Sequence, residues 1–172
     1  MISLYFAIFH SYLAYGLPVW GSASEKLINN IVLLQKKALR IITSADYHAH
    51  TKPIMKENKI LSLTDQRYYQ TASLMWDLDH NSLPPSLSSY FKKRNDVHNR
   101  HTRLADDGKY NIPKTRTITH GTSSFQVQGT LILNSLKDLD IYKNAENAEH
   151  ADNAKKKKTF LGKLNESLIN HY

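Results

Sequence analysis

With 172 residues the chain is long enough for one domain with a real core, or for two small lobes. A hydrophobic share of 41% argues against wholesale disorder, and the absence of cysteine excludes a disulfide scaffold, cysteine nucleophiles and thiolate metal sites. A net charge of +8 points to an anionic partner, either a nucleic acid or an anionic membrane surface. The cysteine count also fits an intracellular location, without separating nucleus from cytoplasm.

The charge is unevenly placed. Residues 1–24 carry no Lys, Arg, Asp or Glu, whereas 25–67 carry eight basic and four acidic side chains. Residues 92–116 carry eight basic and three acidic ones, so two separate segments supply the basic character. The uncharged opening lacks the positive n-region of a secretory signal. His10, Ser11, Gly16 and Pro18 interrupt it well short of the roughly 20 apolar residues a spanning helix needs. Buried core, not a membrane segment, is the expectation.

In chain order, Ile2, Tyr5, Phe6, Phe9 and Leu13 recur at helical steps and predict a helix over 2–15. Leu4, Ala7 and Ile8 widen its apolar surface, which implies burial on more than one face. Gly16 and Pro18 end it, and Tyr15 and Trp20 read as packing residues at the turn. Ser24 is an N-cap candidate for a second helix, 25–44, with Glu25 in its first turn. There Leu27, Ile31, Leu34, Ala38 and Ile41/Ile42 form the expected buried stripe, and Lys36, Lys37 and Arg40 fall largely off it. "KPIMKENKI" reads as a short helix with Pro53 near its first turn, and "SLTDQRYYQTASLMWDLDHNS" as a longer one stopped by Pro84 and Pro85. "SLSSYFKKR" makes a further short helix or turn. From about residue 95 the texture is polar; β-branching and alternation around His120-Gly121 predict a small β-ribbon near 115–128. "TLILNSLKDL" returns to helix, residues 144–158 read as a charged linker or solvated helix, and Phe160, Leu161, Leu164, Leu168 and Ile169 predict a C-terminal helix over 159–172.

Several separated stretches resemble one family. "LYFAIFHSYLAYGLPVWG", "LLQKKALRIIT", "AHTKPIMKENKIL", "SLPPSLSSYF", "VHNRHTR" and "RTITHGTSSFQVQGTLILNSL" follow, in order and spacing, the blocks downstream of the polymerase core in jockey-like, LINE-type retrotransposon reverse transcriptases. The resemblance runs from about residue 3 to 136. Three positions depart from it: Asn58 stands where the family pattern has Leu, Thr130 where it has Pro, and Leu133 where it has Trp. Such changes suit either an unselected element copy or ordinary divergence with compensating packing.

The resemblance implies a thumb and post-polymerase connection, with fingers and palm belonging upstream. The expected architecture is a mainly α helical bundle with the small ribbon and a C-terminal helix. Its divisions are a thumb-like hairpin over 1–44, a helical connection over 45–94, loop, ribbon and short helix over 95–143, linker over 144–158, and the final helix. Phosphoryl transfer needs carboxylates holding two Mg²⁺ ions about 3.5–4 Å apart. "LADDG", Leu104 to Gly108, carries an Asp pair, yet its polar, turn-forming flanks and its place after the thumb-like blocks read as a loop. No cofactor is therefore expected in this chain, Mg²⁺ belonging to the parent polymerase. The His48/His50 and His98/His101 pairs have zinc-like spacing but no further ligands placed with them.

The expected partner is the backbone of an RNA–DNA or DNA duplex, bound without reading its sequence, together with the parent's palm and fingers. Lys36, Lys37 and Arg40, with Gln35 as a hydrogen-bonding neighbour, are the first candidate patch. Lys92, Lys93, Arg100 and Arg103 are the second. Two other readings stay open: a helical protein–protein interaction module with a merely solubilising basic face, and a translated transposon remnant without a selected role.

Overall fold

The computed structural model describes residues 2–97, 108–117, 121–148 and 151–172. The chain divides into two compact units, Met1–Gln70 with Leu164–Tyr172, and Thr71–Lys163. It is mainly helical. Among the described residues there is no strand, only an isolated antiparallel bridge between Lys93 and Tyr110.

The first unit opens with α1 (Ile2–Leu4), which continues through a π-helical segment (Tyr5–His10) into α2 (Ser11–Ala14). Ser11 Oγ lies 2.8 and 2.9 Å from the carbonyl oxygens of Ala7 and Ile8, filling acceptors of that wide turn. Gly16, at φ 63°, takes the left-handed geometry that lets the chain re-enter helix at α3 (Leu17–Trp20). The apolar crowding here is not uniformly buried. Tyr5 and Leu17 are enclosed, whereas Leu4, Ile8, Tyr12 and Val19 are exposed. Tyr15 is also exposed, so it does not pack at the turn; its carbonyl instead accepts the Trp20 indole N–H at 2.7 Å.

Ser24 caps α4 (Glu25–Ile42) through its backbone carbonyl, which accepts from the amides of Leu27 and Ile28. The buried line of α4 differs from the expected stripe. Gln35 and Leu39 are enclosed and Ile28, Ile31, Val32 and Ile42 partly so, while Leu27, Leu34 and Ile41 are exposed. Leu39 joins Tyr5, Met55 and Ile60 in a core that Ile2, Phe9, Ile54 and Tyr172 flank. Met55 comes from α5 (Thr51–Glu57), and Ile60 from the turn into α6 (Leu63–Asp79). Asn58 is the C-cap of α5 and its Nδ2 donates to the Ile54 carbonyl at 2.8 Å. A polar residue at this position therefore has a partner.

The second unit holds α7 (Pro85–Ser88), α8 (Arg94–Val97), α9 (Phe125–Asp138), α10 (Asp140–Glu146) and the start of α11 (Asn153–Asn170). The expected ribbon is overturned here. Residues 118–120 lie outside the described residues, 121–124 form a turn, and Phe125 already begins α9, capped by Ser124 Oγ accepting from Val127 N–H. The local alternation "SSFQVQG" is outweighed by a capped helix with a buried face of Val127, Thr130, Leu133 and Leu136. Gly129 lets α9 approach Met75 of α6; a Cβ there would meet the sulfur at 3.0 Å. Thr130 Oγ1 donates to the Gln126 carbonyl, and Leu133 is fully buried. Both departures from the family pattern thus sit in satisfied environments.

Trp76 centres this second core. Its ring stacks on His80 at 4.3 Å and on Phe160 at 4.8 Å, and its indole N–H donates to Asn153. Because α11 begins at Asn153, the lysine run 155–158 is helical, and Lys157 pairs with Asp77 at 2.6 Å. Asp79 accepts from Lys137 at 2.7 Å and from the Tyr142 hydroxyl at 2.6 Å. Asn134 fastens the extended segment around Tyr110 to α9, accepting from Tyr110 N–H and donating to the Tyr110 carbonyl. Burial and the nearby Asp79 carboxylate raise the pKa values of Tyr110 and Tyr142 well above their ordinary value.

Candidate nucleic-acid interface

The basic flank of α4 becomes a site because of the turn at the end of the helix. At that C-terminus, Ser44 adopts φ 53°, Ala45 N–H donates to the Arg40 carbonyl and Ser44 N–H to that of Ile41. This is a Schellman turn, and it swings the chain back alongside the last turn of α4. Arg40 Nε then donates to the Ala49 carbonyl at 2.9 Å. One edge of the guanidinium is tied to the loop, while its terminal nitrogens carry the remaining donors.

Two clefts in the first unit have Arg40 in their walls. The larger, about 690 Å³, is lined by Lys36, Arg40, His50 and Lys52, with Val32 and Met55 among its apolar residues. Thr51, Ser62, Thr64 and Tyr172 complete its polar lining. Among the described residues that line it no side chain is acidic, so three cationic side chains from two helices share one opening. The hydroxyls of Ser62 and Tyr172 are already committed to Asp65, and Ser62 N–H donates to the Tyr172 oxygen. Ser62 and Asp65 thereby form a capping box for α6 into which Tyr172 is inserted. Burial and the Asp65 hydrogen bond push the Tyr172 hydroxyl up to about 12. The smaller cleft, about 410 Å³, is lined by Lys37, Arg40, Ile41, Ser44, Ala45 and Tyr47.

The residues singled out from sequence separate on this geometry. Lys36 and Arg40 share the larger cleft, and Lys37 and Arg40 the smaller. Gln35 is not available to a ligand. It is 2% exposed, its Nε2 donates to Tyr5 Oη at 2.9 Å and to the Leu61 carbonyl at 3.0 Å, and its Oε1 accepts from Leu63 N–H at 3.0 Å. Its role is to tie α4 to the N-terminal helix and to the start of α6. Lys92 and Lys93 are exposed in the second unit, where Lys93 Nζ stands 5.9 Å from the Tyr110 ring centre. Arg100, Arg103, Asp106, Asp107, His98 and His101 lie outside the described residues. Among the described residues no group of three or more His, Asp or Glu converges on a metal-sized site, and no helix is long and apolar enough to cross a membrane.

Sequence reasoning misses Lys52 and Tyr47. Neither carries a periodic signal; each reaches the site only because the Schellman turn and the 44–50 loop bring α5 back against α4.

No family model and no solved structure matches the chain. Among curated proteins it is similar to the RNA-directed DNA polymerase from the mobile element jockey of Drosophila melanogaster, 35% identical over 65 residues. That stretch is 38% of this chain and 7% of the polymerase, so the match spans a small part of the relative. The similarity relates this chain to a retrotransposon reverse transcriptase.

Proposed function

We propose that the chain is a non-catalytic part of a retrotransposon reverse transcriptase, a thumb and connection region that holds the template–primer duplex through its phosphates. The observation that carries this reading is the convergence of Lys36 and Arg40 from α4 with Lys52 from α5 on one cleft with no acidic lining. Phosphate contacts of this kind fix register and orientation on a duplex without reading bases. Lys92 and Lys93, with Arg100 and Arg103 beyond the described residues, make the second candidate contact. The two-metal chemistry belongs, in this reading, to the palm of the parent enzyme, which Mg²⁺ would serve.

The test is the affinity of the 172-residue chain for an RNA–DNA duplex across a salt series. Neutralising about three phosphates gives a slope of log K against log salt of roughly −2 to −3. Binding indifferent to salt, or none at low salt, would remove the reading. A second reading has an observation of its own. Leu27, Leu34 and Ile41, spaced by seven along α4, are exposed, as a helix that docks on a protein partner would leave them. A stable complex with a protein and none with duplex would favour it.

A further inference from the structure

The smaller cleft differs in chemistry from its neighbour. Tyr47 is 70% exposed, Ile41 is 75% exposed, and the two share a wall with the cations Lys37 and Arg40. Tyr12 and Tyr15 are more exposed still, so exposure alone does not mark Tyr47; its place in a cleft wall beside two cations does. An edge-to-face contact with His48, 5.1 Å between ring centres, steadies the Tyr47 ring without enclosing it. The left-handed Ser44 fixes the direction in which the loop bearing Tyr47 leaves the helix.

Arg40 lines both clefts, so phosphate-binding and ring-bearing surfaces adjoin at a single guanidinium. Paired bases inside a duplex are stacked on both faces, and the terminal pair opens one face only, whereas an unpaired base can turn a whole face to such a ring. We infer that the two clefts together bind an unpaired nucleotide beside a duplex end, its base on Tyr47 and Ile41 and its phosphates on Lys36, Arg40 and Lys52. A platform of one aromatic ring flanked by cations is the arrangement by which single strands are held irrespective of sequence. Among the described residues neither lining includes an acidic side chain, which complements the ligand's charge.

This inference rests on the reading of α4 as a nucleic-acid surface, and the experiment separates the two. Affinity is measured for a blunt RNA–DNA duplex and for the same duplex carrying a short single-stranded overhang. The expected result is about tenfold tighter binding of the overhang form. Tyr47→Ala abolishes that difference, read as the ratio of the two affinities, while Tyr47→Phe keeps it. The exposure of Tyr47 keeps the substitution from disturbing the fold, which circular dichroism of each variant verifies. Equal affinity for both forms, or a Tyr47→Ala variant that still prefers the overhang, overturns the inference while salt-dependent duplex binding stands. Failure to bind either form overturns both. Displacement of the overhang duplex by polyglutamate at matched charge as readily as by an oligonucleotide would assign the site to acidic polypeptides, and so also overturn it.

Discussion

Gln35 shows how one residue can be read correctly for position and wrongly for role. Its place next to Lys36 and Lys37 suggests a polar neighbour on a binding flank, yet it points into the first core and closes three hydrogen bonds. Nothing in a helical repeat distinguishes a buried amide from an exposed one. The partners that make burial tolerable come from Tyr5, Leu61 and Leu63, remote in sequence. Gln35→Ala leaves the Leu63 N–H and the Leu61 carbonyl without this partner in an enclosed site. The expected cost is about 2–4 kcal/mol of stability, read by urea unfolding. Nucleic-acid affinity per folded molecule should be unchanged. Unaltered stability with weakened binding would show instead that the amide meets the ligand.

At the scale of elements, α11 begins at Asn153, ahead of the expected 159, but α4 was legible because its cap candidate Ser24 and its apolar spacing agree. Register was less so. The sequence stripe Leu27, Ile31, Leu34, Ala38 and Ile41 is a seven-residue pattern, but the buried line of α4 runs through Gln35 and Leu39. A polar residue on the inner face disguised it. The ribbon failed for a different reason: residues 125–128 alternate over too short a stretch to outweigh a Ser124 cap and an apolar face extending to Leu136.

Among the described residues, the three left-handed non-glycine positions, Ser44, Lys59 and Asn81, occupy the same place after a helix, each with the paired hydrogen bonds of a Schellman turn. Asn tolerates that conformation better than Ser or Lys. Ser44→Gly and Lys59→Gly should therefore each stabilise the chain by about 0.5–1 kcal/mol in denaturant unfolding, and Asn81→Gly by less. Destabilisation by the first two would mean that the side chains contribute contacts outweighing the backbone strain.

For the whole molecule, buried tyrosines set an alkaline limit. Tyr172 is raised from 10.0 to about 12, and Tyr110 and Tyr142 also shift upward, burial being the largest cause in each. The folded state holds these protons more tightly than the unfolded chain. Their contribution is complete below about pH 10 and is lost as pH rises, for Tyr172 through about 12. Circular dichroism should show helix loss in that window together with late tyrosinate absorbance. Ionisation of every tyrosine around pH 10 with the helices retained would contradict this linkage.

On the scale of the whole molecule, the proposed function rests on charge brought together by folding. Lys36 and Arg40 could be read from the sequence as one helix face, but Lys52 joins them only when α5 returns against α4. The measurement that tests this most directly is the duplex salt series repeated on Lys36→Glu, Arg40→Glu and Lys52→Glu, with exposed Lys163→Glu as control. Each of the first three should weaken binding and flatten the salt slope by about one, and the control should change neither by a comparable amount. Equal effects from all four would mean that net charge alone attracts the duplex, and that the cleft is not its site.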